Sequence, residues 1–287
     1  MRKLEKQTIV EHLMEFCEQK GSQAKAAATL KVSAAIVSQM VNGNWEMIRD
    51  EMWRTVSAGI GMQGGNWTTV ETAGYRRMTA VLDDAQQNSL VMAVVGDAGC
   101  GKTQAIGQYV KTHRNAYHLQ CAEYWNKKNF LQNLCQQMGM RDTYGTVYEL
   151  IEDIVRELEK QDSPLIIVDE ADKLSDGVLY FFITFYNRLE DHCGIVLTAT
   201  GYLKKRIIAG ERNERKGFAE IHSRVGRNFI AMPQTSADDV AAICEANGVT
   251  DLHTINEISK RCDFDLRRVK RLVHAALRSE ERRVGKE

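Results

Sequence analysis

Proline is nearly absent from these 287 residues. Only Pro164 and Pro233 occur, each beside an apolar run, which excludes a proline-rich linker and leaves a chain of mostly regular structure. No apolar run approaches the roughly 20 residues that a membrane-spanning helix requires. The longest, such as 90–95 and 165–168, suit buried strands instead. Net charge is lacking too, with 38 basic against 38 acidic side chains, so a polyanionic partner must be held by local patches. The seven cysteines contain no Cys-x-x-Cys pair and form an odd set, which argues against a disulfide framework or a zinc site and reads as reduced thiols of a cytoplasmic protein. Met1 to Gln7 runs into Glu11, Glu15 and Glu18 without the apolar stretch of a secretory signal, and no internal repeat occurs. What is present is 44% hydrophobic and 26% charged residues, the balance of a soluble folded chain with room for two modest domains.

Glycine supplies the domain boundary. Gly59, Gly61, Gly64 and Gly65 cluster where helical periodicity stops, which predicts an N-terminal domain over 1–58, a linker over 59–70, an α/β core over 71–232 and C-terminal helices over 233–287. In the first domain Ile9, Leu13, Phe16 and Cys17 repeat at helical spacing up to Gly21. Ser22 caps a second helix with Ala26, Ala27 and Leu30 inward, and Ser33 caps a third through Val41. Two short helices joined by a tight turn, the second presenting Ser33, Ala34, Ser38 and Gln39, have the layout of a DNA-reading helix-turn-helix; a three-helix protein-docking module is the alternative. Eight basic and seven acidic side chains in the first sixty residues leave both open.

The chemistry begins at Leu90. An apolar strand leads into Gly96-Asp97-Ala98-Gly99-Cys100-Gly101-Lys102-Thr103, followed by Gln104 and a helical stretch. This is Gly-x-x-x-x-Gly-Lys-Thr in its strand-loop-helix context. Its backbone N–H groups wrap phosphates at a helix N-terminus, Lys102 reaches the β- and γ-phosphates, and Thr103 faces Mg²⁺. A second strand, Leu165 to Val168, ends in Asp169-Glu170, carboxylates suited to the Mg²⁺ shell and to activating water as general base, respectively. The strand 194–199 ends at Thr200, a polar side chain placed to sense the γ-phosphate. Asp169 to Asp172 spells Asp-Glu-Ala-Asp, but barely fifty-five residues follow Pro233, too few for the second sheet domain of a helicase of that type. His113, His118 and Cys121 have ligand-like spacing yet flank a strand and lack a fourth partner, so no metal site is expected there.

The phosphate loop, the Asp169-Glu170 strand end, Thr200, Ser223-Arg224 and Leu266-Arg267, in that order, resemble the AAA+ ATPases, and the layout over most of the chain resembles the MuB family of phage transposition proteins and its relative TnsC. The resemblance implies a five-stranded parallel sheet flanked by helices with a helical lid. The periodicities put strands near 91–95, 116–121, 165–169, 195–199 and 228–232. It also implies that Thr200 is sensor I, Arg224 the arginine finger offered to a neighbour's γ-phosphate with Arg227 as rival, and Arg267 sensor II. The activity implied is slow ATP hydrolysis stimulated by DNA or transposase. The implied partners are double-stranded DNA bound with little sequence preference, a cognate transposase, and further copies of the chain in an ATP-dependent helical filament. No membrane partner is expected.

Between 201 and 227 eight basic residues, Lys204, Lys205 and Arg206 among them, face three acidic ones, a plausible phosphate-tracking patch. Lys260 to Lys286 is basic as well, with Leu266, Val269, Leu272 and Val273 turned inward. Two other functions share these features: a helix-turn-helix transcription regulator with a nucleotide switch, and a helicase loader.

Overall fold

The β-forming runs become five short strands in the computed structural model, which describes residues 3–60, 67–140 and 143–284. These are β1 (Val91–Val95), β2 (Ala116–Gln120), β3 (Leu165–Asp169), β4 (Gly194–Ala199) and β5 (Phe229–Ala231), each within one residue of its expected bounds. All pairings are parallel and the order is β2-β3-β4-β1-β5. Side chains alternate across a strand, so each strand feeds two cores. Ile166, Val168, Ile195 and Leu197 face one layer, while Leu165, Ile167, Val94 and Val196 face the other.

The second of those layers is closed by α5 (Ala73–Gln87) and α6 (Lys102–Thr112). The first is closed by α7 (Lys127–Gln137), α8 (Val147–Leu158), α9 (Asp176–Leu189), α10 (Gly201–Arg212) and α11 (Phe218–Arg224). The aromatic stripe of α9 is core, with Leu179, Phe182, Phe185 and Leu189 buried. Three C-terminal helices, α12 (Ala237–Ala246), α13 (Leu252–Cys262) and α14 (Leu266–Val284), build a separate cluster around Val240, Ile258, Val269 and Val273. Among the described residues no helix is long and apolar enough to cross a membrane.

Residues 3–60 form four helices around Leu13, Val37, Met40 and Trp53: α1 (Lys3–Gln19), α2 (Gln23–Leu30), α3 (Ala34–Val41) and α4 (Asp50–Gly59). Ser22 and Ser33 cap α2 and α3 as expected, accepting hydrogen bonds from the Lys25 and Ile36 N–H groups. The fourth helix escaped the sequence reading. It carries Trp53 and Val56 into the core, and it runs through Gly59, one residue past the expected domain end. This unit rests on the sheet domain through Lys20, whose Nζ donates to the Gln137 carbonyl at 3.2 Å, and through the Lys25–Glu157 ion pair at 2.9 Å. Burial lowers the Lys20 ammonium to about 8.

The expected linker needs revision at its far end. Gly61, Gly64 and Gly65 lie outside the described residues. Residues 67–70 are not free: the Thr68 N–H donates to Asn247 Oδ1 at 2.8 Å, and Asn247 Nδ2 returns a bond to the Thr68 carbonyl at 3.0 Å. Trp67 sits against the lid, beneath Lys270 Nζ at 5.1 Å and beside the His274 ring at 5.5 Å. A side-chain amide matches both groups of one peptide, which explains why a segment with no helical or strand pattern is nonetheless fixed.

Candidate nucleotide site

Because all five strands are parallel, their C-terminal ends lie on one edge. β4 stands between β1, which launches the phosphate loop, and β3, which ends in Asp169. That edge opens into a cleft of about 610 Å³ whose walls come from the loop, the ends of β3 and β4, residues 67–75 and the lid. Such a crevice at the carboxyl ends of parallel strands is where ligands of α/β folds bind.

Local geometry follows the glycines. Gly99 and Gly101 have φ of +82° and +93°, a region that side-chain-bearing residues avoid, and the bend points the first turn of α6 at the cleft. The lid presses on the same loop: the Leu266 N–H donates to the Gly99 carbonyl at 3.0 Å, and a Cβ on Gly99 would run into the Asp265 carboxylate. Lys102 Nζ donates to the carbonyls of Gly96 at 2.7 Å and Asp97 at 2.9 Å and lies 3.5 Å from Cys100 Sγ. Gln104 Nε2 donates to Thr69 Oγ1 at 3.1 Å, tying α6 to the entering segment. Ala98, Arg267 and Lys270 complete this end of the cleft beside the apolar Val70, Ile243 and Leu266.

Asp169 is the electrostatic centre. Its carboxylate is buried and accepts from Thr103 Oγ1 at 2.7 Å, Thr198 Oγ1 at 2.5 Å, the Glu170 N–H at 2.9 Å and His118 Nε2 at 3.3 Å. Burial alone would raise its pKa, but the bonds from His118, Thr198 and Thr103 outweigh it and hold the carboxyl below its ordinary range. Loop and strand end thus meet through hard oxygen donors, the ligand set that Mg²⁺ prefers. The residues present fit the ion: Thr103 and Asp169 would hold it.

Thr198 and His118 are the residues that sequence reasoning passed over as site members. Thr198 reads as one more β-former, and only the pairing of β4 with β3 brings it to Asp169. Replacing a buried hydroxyl partner of a carboxylate costs about 1–3 kcal/mol. Thr198→Val, which keeps the shape, is expected to lower stability by that amount in a denaturant titration, and an unchanged midpoint removes Thr198 from the network.

Glu170 adopts a left-handed conformation, φ 56°, unusual for a residue with a side chain. Its Oε2 accepts from Lys173 Nζ at 2.7 Å and lies 3.5 Å from Gln120 Nε2. The Glu170 carboxylate beside it raises the Lys173 ammonium above its ordinary range. Thr200 caps α10 and its hydroxyl donates to Asp172 Oδ2 at 2.5 Å. Arg224 and Arg227 do not line the cleft. Arg224 lies 4.4 Å over the Tyr186 ring and donates to Asn187 at 3.2 Å, while Arg227 is exposed.

The expected DNA contacts divide. Lys204, Lys205 and Gln39 are exposed, and Ser33 is exposed at the start of α3. Ser38 is half-buried and accepts from Asn42 at 3.1 Å. Arg206 corrects the expectation: its guanidinium is turned inward, bonded to Asp176 Oδ1 at 2.9 and 2.5 Å and to the Asp172 carbonyl at 3.2 Å, so it is not offered to phosphate. Arg215 also pairs with Asp176, which trims the basic patch further. His113 stacks on Tyr109 and pairs with Asp83, away from the His118–Asp169 contact.

Residues 77–207 match the family described as AAA domain. The chain is 27% identical over 199 residues to the ATP-dependent target DNA activator B of Escherichia phage D108, and again to that of Escherichia phage Mu; each match covers 67% of this chain and 61% of the relative. It is 25% identical over 240 residues to the Mu-like prophage FluMu DNA transposition protein B of Haemophilus influenzae, covering 79% of this chain and 80% of that protein. The chain thus spans about 61% of the length of the two phage activators it matches.

Proposed function

We propose, from the premise that this chain is a MuB-like AAA+ ATPase, that it is an ATP-dependent activator of target DNA in transposition: it hydrolyses ATP, assembles with its own copies on duplex DNA and hands that DNA to a transposase. The observation that carries the reading is the contact between Thr103 of the phosphate loop and Asp169 of the β3 end, closed over by the lid. It supports a nucleotide site in which loop, sheet and lid sense the same ligand.

The residues divide the work by chemistry. The loop N–H groups and Lys102 bind the phosphates, and Lys102 exchanges its carbonyl partners for phosphate oxygens. Thr103 and Asp169 hold Mg²⁺, which when bound neutralises phosphate charge. Glu170 accepts a proton from water at its carboxylate as that water attacks the γ-phosphorus, giving ADP and phosphate. Thr200 and Arg267 sense the nucleotide from β4 and the lid. Arg224, outside the cleft of its own chain, completes the site of a neighbouring copy, with Arg227 as the other choice; this makes turnover depend on assembly. The exposed Lys204 and Lys205 track phosphates, and α2 and α3 offer a second DNA-contacting surface through Ser33, Ser38 and Gln39.

The test is binding to a long random-sequence duplex at fixed salt with ATP, with ADP and without nucleotide. Binding that requires ATP and grows cooperatively with duplex length is the expected result. Nucleotide-independent binding confined to particular sequences overturns it in favour of a helix-turn-helix regulator.

A further inference from the structure

Glu170, read above as the residue that activates water, does not stand free in the cleft. The Oε2 atom of its carboxylate is hydrogen-bonded by the Lys173 ammonium at 2.7 Å. A lone pair held in that way is not available to take a proton from water, so the contact and the chemistry exclude each other. Lys173 also has alternative places to go, because Glu123 and Asp172 attract it as well. A side chain with two sets of acidic neighbours has two discrete arrangements, one of which frees the carboxylate.

The short 3₁₀ turn that carries Lys173, Ala171–Lys173, is gripped from one direction. Thr200, the cap of α10, donates to Asp172 Oδ2 at 2.5 Å. Arg206, one turn further along α10, holds the Asp172 carbonyl and the carboxylate of Asp176 just beyond the turn. On the same helix the neighbouring Lys204 and Lys205 are exposed. The α10 helix therefore has a solvent side that suits phosphate and a buried side bonded to the segment bearing Lys173.

We propose that Lys173 is a positioning residue that latches Glu170 in an inactive arrangement, and that a polyanion engaging Lys204 and Lys205 shifts α10 and, through Thr200, Arg206 and the turn, releases the latch. This rests on the reading of Glu170 as the water-activating base and specifies how duplex DNA regulates it.

The test compares steady-state ATP hydrolysis by the wild-type chain, Lys173→Ala and Lys173→Arg, each with and without long duplex, alongside binding of a fluorescent ATP analogue. A half-exposed ion pair sustains a bias of about two- to fivefold. Lys173→Ala is therefore expected to raise duplex-free kcat by about that factor with KM and analogue affinity unchanged, and to shrink the stimulation by duplex correspondingly. Lys173→Arg is expected to restore wild-type behaviour, which a mere loss of packing would not explain. A lower or unchanged duplex-free kcat in Lys173→Ala, or undiminished stimulation by duplex, overturns the latch while leaving the ATPase intact. Wild-type protein that never hydrolyses ATP overturns the ATPase reading and the latch together, a result distinct from turnover indifferent to Lys173.

Discussion

Lys102→Ala is expected to abolish ATP binding at concentrations that saturate the wild-type chain. The Lys102 ammonium is the only basic group within the phosphate loop, and its contacts with the Gly96 and Asp97 carbonyls show that it reaches back over the loop that would enclose the phosphates. In the bound state those contacts give way to charge-assisted bonds with phosphate oxygens, each worth about 1.5–3 kcal/mol. Losing one or two of them weakens binding by roughly 10²–10³-fold. Lys102 packs no core, so thermal unfolding of the nucleotide-free variant is expected to match wild type. A fluorescent-analogue titration checks the affinity; a dissociation constant within about tenfold of wild type (about 1.4 kcal/mol) shows that the loop backbone and lid carry the affinity without the lysine. Assembly on duplex DNA is expected to disappear with ATP binding.

Glu170→Gln is expected to have the opposite phenotype at the assembly level. The amide has the same shape but no lone pair basic enough to accept the proton, and removing a positioned general base costs about 10²–10⁴ in rate. Asp169, Thr103 and Lys102 are untouched, so ATP still binds. The protein is then expected to stall on duplex DNA in its ATP-bound form, seen as complexes that persist after dilution into nucleotide-free buffer. Normal turnover removes Glu170 from the chemistry. Lys173→Ala and Glu170→Gln alter the two ends of one contact and are expected to move kcat in opposite directions, an outcome that general damage to the site does not produce.

The strands were legible because each is a run of β-formers with a polar or glycine end, information held within five or six consecutive residues. The helix-turn-helix was legible for the same reason, since Ser22 and Ser33 cap within three residues of themselves. The helix α4 was missed because its signal lies in the burial of Trp53 and Val56 against α1 and α2, not in a stop or start residue. Arg206 reads as a member of a basic run; that it faces inward depends on Asp176, thirty residues earlier, lying beneath the same turn of α10.

By itself, then, the sequence determined what is local: a loop whose glycines permit positive φ, a lysine and a threonine at the head of a helix, and a carboxylate pair at the end of a buried strand. The tertiary structure alone decided which of these touch. The order β2-β3-β4-β1-β5 brings Thr198 to Asp169, the lid sets Asp265 and Leu266 against Gly99, and Asn247 ties Thr68 into the cleft wall. Backbone conformation and periodicity are set by neighbours along the chain, whereas each of these contacts joins residues 29 to 179 positions apart. Their partners are fixed by strand order and layer packing, to which no single stretch of sequence has access.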